Sequence, residues 1–151
     1  MQEKPIRWSA RLLLTLLLAV VATTASADTE TKPFAEKRIV LQISDPNPFK
    51  QTLVLNVANN LIRHYGVDNV DIEIVAFGPG LRLLFADNVN LPRIQGLVDN
   101  GARFSACSNT IDAMSRKLGE PPELNEHAVK VSAGVVRIID LVERGYHLIK
   151  P

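Results

Sequence analysis

The sequence has 151 residues, of which one is cysteine, three are histidine and only 5% are aromatic, and its formal charge is +1. Each scarcity excludes something. A single cysteine rules out an intramolecular disulfide and any cysteine-rich zinc site or cluster. A charge this close to zero leaves no basic footprint for nucleic acid. His64, His127 and His147 stand 63 and 20 residues apart, with no H-x-x-H or H-E-x-x-H spacing, so no metal site is expected. No G-x-x-x-x-G-K-[ST] segment occurs. Gly78-Pro79-Gly80 only superficially resembles a phosphate loop: G-x-G-x-x-G would need a glycine where Leu83 stands, and Pro79 lacks an N–H donor. No cofactor is therefore expected.

What is present is apolar residue, at 46% too much for a disordered chain, and a length that suits one domain. The apolar residues are unevenly spread. Residues 1–11 carry Lys4, Arg7 and Arg11 against Glu3, and Leu12 to Ala22 follows as an apolar run broken only by Thr15. Ala25-Ser26-Ala27 then supplies small residues at the A-x-A spacing. A basic start, a short apolar stretch and a small-residue site predict a secretory signal peptide over residues 1–27, cut before Asp28. The run of 11 residues is well short of the roughly 20 that an uncleaved span needs. Contact with a membrane is expected only through this segment. Removing 27 residues leaves 124, and takes three of 17 basic and one of 16 acidic residues, so the mature charge is −1. Residues 28–36 are polar, contain Pro33 and have no period, and read as a flexible leader.

From Lys37 to Pro151 strand-like and helix-like patterns alternate. Arg38 to Ile43 reads as a first strand, stopped by Ser44-Asp45-Pro46. Phe49, Leu53, Val57 and Leu61, with Val54 and Tyr65, predict the inward face of a first helix that Gly66 ends. Val70 to Phe77 is a second strand, Gly78-Pro79-Gly80 a break, and Leu81 to Phe85 a short helical turn. A helix opens at Leu91-Pro92, with Ile94, Leu97 and Val98 inward. Arg103 to Cys107 is a third strand. Ser108, Asn109 and Thr110 are cap-type residues before a helix carrying Ile111, Met114 and Leu118. Ala128 to Val131 is a fourth strand. Ser132 is read as the cap of a last helix with Val135, Ile138, Ile139 and Val142 on one face, and His147 to Ile149 as a fifth strand. This alternation predicts an α/β fold: a mostly parallel five-stranded sheet with helices on both faces.

In such sheets sites form beyond the carboxyl ends of the strands. Four turns qualify: Ser44-Asp45-Pro46, Gly78-Pro79-Gly80, Cys107-Ser108-Asn109 and Ser132-Ala133-Gly134. Cys107 has the most distinctive place, leaving a strand to enter a helix. Free N–H groups and the helix dipole there stabilise a thiolate, the nucleophilic form of cysteine. The alternative is an inert cysteine packed as a small hydrophobe. Asp45, Gly78, Pro79, Gly80, Ser108, Asn109, Thr110, Ser132 and Gly134 are the residues expected to line this edge. A Cys–His pair stays open, but nothing selects one of the three histidines.

These features together resemble the DsrE/DsrF-like family of small sulfur-relay proteins. The resemblance rests on Arg38 to Asp45 (RIVLQISD), Asn56 to Leu61 (NVANNL), Val70 to Gly80 (VDIEIVAFGPG), Gly101 to Thr110 (GARFSACSNT) and Ser132 to Val136 (SAGVV), and spans Lys37 to Pro151. It implies a three-layer α/β/α sandwich and assembly into trimers or hexamers. It also implies a cysteine that carries sulfur as a persulfide between a donor and an acceptor, either a partner protein or a small sulfur compound. Cys107 matches that position. The sulfur-relay members act in the cytoplasm, whereas the expected signal peptide sends this chain out, to a bacterial periplasm. Export favours handling of reduced sulfur compounds over supply to a cytoplasmic RNA-modifying partner, and exposes a lone thiol to oxidation. The competing expectation is a non-catalytic oligomeric binding module with a structural cysteine.

Overall fold

The computed structural model describes residues 31–151, so the expected signal peptide at 1–27 lies outside the described residues. Five strands form one all-parallel sheet in the order β4-β3-β2-β1-β5. They are β1 (Lys37–Ile43), β2 (Val70–Ala76), β3 (Arg103–Cys107), β4 (Ala128–Val131) and β5 (His147–Ile149). Four α-helices connect them: α1 (Pro48–Tyr65), α2 (Leu91–Asp99), α3 (Ser108–Leu118) and α4 (Gly134–Glu143). A 3-10 helix, Gly78–Leu84, precedes α2 and is longer than the turn expected at Leu81 to Phe85. No helix among the described residues is long and apolar enough to cross a membrane.

The strand order decides where the helices lie. From β1 to β4 the chain steps across the sheet in one direction, so right-handed crossovers put α1, the 3-10 helix, α2 and α3 on one face. The return from β4 to β5, at the opposite edge, puts α4 on the other face. Two cores follow. Ile39, Leu41, Ile72, Ile74, Phe104 and Ala106 face the first helical layer, with Val54, Leu55, Ala58, Leu83 and Ile94. On the second face, Val40 and Val75 meet only Ile138, Leu141 and Tyr146, with Phe77 at the margin. The result is the expected three-layer α/β/α architecture.

Two helix faces differ from expectation. Phe49 and Leu53 are exposed, and α1 turns Gln51, Val54, Leu55, Ala58 and Ile62 inward. Residues spaced strictly by four drift about 40° per step around a helix, so the row from Phe49 to Leu61 cannot stay on one face; the mixed three-and-four spacing of Val54, Leu55, Ala58 and Ile62 does. In α4 the expected face of Val135, Ile139 and Val142 points outward, and only Ile138 and Leu141 of the apolar set are buried. The apolar strip offered by the sheet there is narrow, because its remaining positions are polar.

Those polar positions form a buried ionic network. Asp71 and Glu73 of β2 both have zero exposure. Arg103 Nη1 donates to Asp71 Oδ1 at 2.5 Å, and Arg103 Nη2 donates to the Tyr146 hydroxyl at 3.0 Å. That hydroxyl donates to Asp71 Oδ2 at 2.6 Å. Arg137 of α4 clamps Glu73 with Nε on Oε1 at 2.7 Å and Nη2 on Oε2 at 2.8 Å, and Ser105 Oγ donates to Oε1 at 2.6 Å. The Lys32 backbone N–H also reaches Asp71 Oδ2, at 3.2 Å, and its ammonium donates to the carbonyls of Val67 and Asn100. This part of the stretch read as a flexible leader is therefore tied to the fold at Lys32.

Burial, and then the hydrogen bond given to Asp71, push the Tyr146 phenol up to about 12. A phenol that keeps its proton longer when folded contributes stability below the unfolded value of 10.0, lost as pH rises toward about 12. We expect chemical denaturation to show stability falling over that window in the wild type, with Tyr146→Phe removing this component. The same variant should lose about 1–3 kcal/mol at neutral pH through its unmade hydrogen bonds.

Candidate functional site

Parallel strands bring their carboxyl ends to one edge, and Cys107 stands there as the last residue of β3. It is also the N-cap of α3, in extended backbone conformation (φ −69°, ψ 114°), and is 5% exposed. Ser108, Asn109 and Thr110, expected as caps, are instead the first three helical residues. That shift puts their N–H groups around the cysteine side chain. Ser132 does not cap α4 either: the N-cap is Ala133, and Gly134 begins the helix.

The start of α4 lies directly over the cysteine. A Cβ built on Gly134 would come within 3.3 Å of Cys107 Cβ and 3.0 Å of Phe77 Cβ, so a larger residue would push these neighbours back by a few tenths of an ångström. The amino ends of two helices, α3 and α4, therefore converge on one sulfur. There is no tight capping bond from α3 to the side chain; the groups act as converging dipoles. Burial pushes the Cys107 thiol up. The Thr110 hydroxyl and the N–H groups of Gly134, Thr110 and Asn109 outweigh it, and the thiol lies below its ordinary range. Thr110 is oriented for this task. Its Oγ1 accepts the Gly78 N–H at 2.9 Å, which leaves the hydroxyl proton to face the sulfur. Gly78 takes the left-handed φ of 52° that this turn needs.

The other expected edge residues divide. Asn109 N–H also reaches the Ser132 carbonyl at 3.4 Å, which joins the β3 and β4 turns. Gly80 does structural work: a Cβ there would meet the Ile43 carbonyl oxygen at 2.5 Å, so it lets the 3-10 helix pack on the end of β1. Pro79 lines a groove between the 3-10 helix and α3 with Arg82, Phe85, Met114, Lys117 and Leu118. Asp45 pairs with Lys50 at 3.1 Å and accepts the Asn47 N–H at 2.9 Å, an Asx turn before α1. The Asn47 N–H, first, and Lys50 hold its carboxyl below the usual range. Asp45 is thus engaged at the β1 turn by Lys50 and Asn47.

The three histidines fall at the opposite edge. His64 ends α1, where its ring packs on Tyr65 at 4.6 Å between centroids; His127 precedes β4; and His147 opens β5. One strand length, roughly 13 Å over four residues, separates that edge from Cys107. The fold therefore separates the Cys–His pair that the sequence left open. Sequence reading missed the ion pairs of Glu73 and Arg137. The signal was there, since Asp71 and Glu73 alternate with Ile72 and Ile74, but an alternating strand reads as polar side outward.

Replacing Thr110 by Val removes the hydroxyl donor while keeping shape. The midpoint of the pH profile for iodoacetamide alkylation should then rise, slowing alkylation below it several-fold, and Thr110→Ser should restore it. A lowered folded pKa also means that thiolate stabilisation is present above the unfolded value and lost as pH falls through the folded one.

No family model matches the chain, and no curated protein matches it. Among solved structures it is similar to the protein of unknown function MTH1491 from Methanobacterium thermoautotrophicum, with 30% identity and a TM-score of 0.68 over 76% of this chain and 99% of that one. A weaker likeness, at 12% identity and a TM-score of 0.45, covers 76% of this chain and 95% of the conserved protein of unknown function BT1422 from Bacteroides thetaiotaomicron. Similarity at this identity across the whole of MTH1491 means that the chain belongs to the same family as that protein.

Proposed function

We propose that this chain is a thiol-based sulfur carrier of the DsrE/DsrF-like kind, exported to a bacterial periplasm and working through Cys107. The observation that carries the reading is the convergence of the α3 and α4 amino ends and the Thr110 hydroxyl on the Cys107 sulfur. A site built this way favours an anion on sulfur, whether thiolate or persulfide. The Cys107 thiolate attacks the outer sulfur of a donor persulfide. A new S–S bond forms at Cys107, the donor S–S bond breaks, and the donor leaves as a thiolate. An acceptor thiolate then attacks the outer sulfur and Cys107 departs as the thiolate, so one sulfur atom moves with no external oxidant or reductant.

The Cys107 exposure of 5% favours a second reading, an oligomeric binding module in which the cysteine is packed and inert. Intact-mass measurement separates the two. Protein taken from its native compartment should begin at Asp28. After exposure to polysulfide it should gain one sulfur atom, and Cys107→Ser should gain none. A gain that persists in Cys107→Ser, or its absence from the wild type, would sink the carrier reading.

Self-association into trimers or hexamers belongs to the same proposal. Its support is the outward apolar face of α4, where Val135, Val136, Ile139 and Val142 are 45–54% exposed, beside Leu148 and Ile149 on the edge strand β5. Apolar residues grouped on one helix face and the adjoining edge suit a second copy of the chain. Light scattering should report an oligomer for the wild type and a smaller species for Ile139→Lys.

A further inference from the structure

The Glu73–Arg137 ion pair lies away from the sulfur, yet it joins the same elements. Gly134 and Arg137 share the first turn of α4, which the Arg137 N–H closes onto the Ala133 carbonyl at 3.0 Å. At one end of that turn the Gly134 backbone rests against Cys107 and Phe77. At the other, the Arg137 guanidinium holds both oxygens of Glu73, at 2.7 and 2.8 Å. Glu73 is itself fixed: it has no exposure, sits in β2 between paired strands β1 and β3, accepts from Ser105 at 2.6 Å and faces Arg103 Nε at 3.5 Å.

The apolar contacts of α4 with this face of the sheet run through Ile138 and Leu141. Apolar packing sets distance but tolerates small slides, whereas a two-point guanidinium–carboxylate bond fixes direction as well. A helical turn is stiff, so anchoring Arg137 also places the Gly134 N–H, about 4.5 Å away along the axis. Replacing a buried ion pair with apolar residues is often neutral for stability, so the case for this pair rests on geometry.

We propose that Glu73 and Arg137 are positioning residues that register the first turn of α4 on the sheet and so hold the Gly134 N–H against the Cys107 sulfur. The proposal rests on the reading of Cys107 as the reactive thiol.

The test is the pH profile of iodoacetamide alkylation of the full mature chain. Arg137→Met and Glu73→Gln should each raise the thiol midpoint, slowing alkylation below it by about three- to tenfold. Arg137→Lys, which keeps charge but loses the two-point bond, should move it in the same direction by less. It also carries the test should Arg137→Met fail to fold. Tyr146→Phe, at the far end of the network, should lower the melting temperature and leave the midpoint in place. Unchanged midpoints in folded Arg137→Lys and Glu73→Gln, or an equal change in Tyr146→Phe, would overturn the positioning role. An unreactive Cys107 in the wild type would instead defeat the sulfur-carrier reading, so the two failures are told apart.

Discussion

Two carboxylates buried in the central strand constrain much of this structure. Asp71 and Glu73 have no exposure, and an unpaired carboxylate removed from water would cost several kcal/mol even after relaxation. Each must therefore be met by donors. Arg103 comes from the neighbouring strand, Tyr146 from the segment before β5, Lys32 from the amino-terminal stretch and Arg137 from α4. One patch on one sheet face thus ties together parts of the chain that are up to 75 residues apart in sequence. It also explains why a single helix covers that face so sparingly. The buried apolar cluster there is small, Val40 and Val75 with Ile138, Leu141 and Tyr146 and Phe77 at its margin, and the ion pairs lie beside it.

The site follows from the same arrangement. A parallel sheet assembles strand ends and helix starts at one edge, but it does not aim two helix dipoles at one atom. Here β3 delivers Cys107 into the N-cap position of α3, and the crossover from β4 lays the start of α4 across it. Burial opposes ionisation of the thiol while the surrounding N–H groups and the Thr110 hydroxyl favour it, and the second effect wins. The result is a cysteine both sheltered and acidified. That combination is what the proposed carrier role would ask of the sulfur, an anion held out of solvent.

Much of the architecture is legible in the sequence. The strands β3, β4 and β5 have the bounds that the apolar runs predict, and Gly66, Gly119 and Gly145 mark helix ends by their positive φ. What misled was amphipathic phase. The row Phe49, Leu53, Val57 and Leu61 is the most regular in α1 and only partly buried, and the face Val135, Ile139 and Val142 of α4 turns outward. In both helices hydrophobicity alone marks more than one face, and the neighbouring surface selects between them. The cap residues misled for a related reason: Ser108, Asn109 and Thr110 are good caps by composition, yet Cys107 takes the N-cap position because β3 runs through it without a loop.

By itself, the sequence determined the order of elements, the parallel sheet they imply and the edge at which Cys107 would stand, because these depend on local periodicity and on the handedness of crossovers. Only the tertiary structure decided what surrounds the sulfur. The convergence of Thr110 with Gly134 across 24 residues, the remoteness of the histidines and the burial of Glu73 against Arg137 are long-range facts. They arise from strand order and helix placement, and an alternating strand such as VDIEIVA reads the same whether its polar side meets water or a second buried charge.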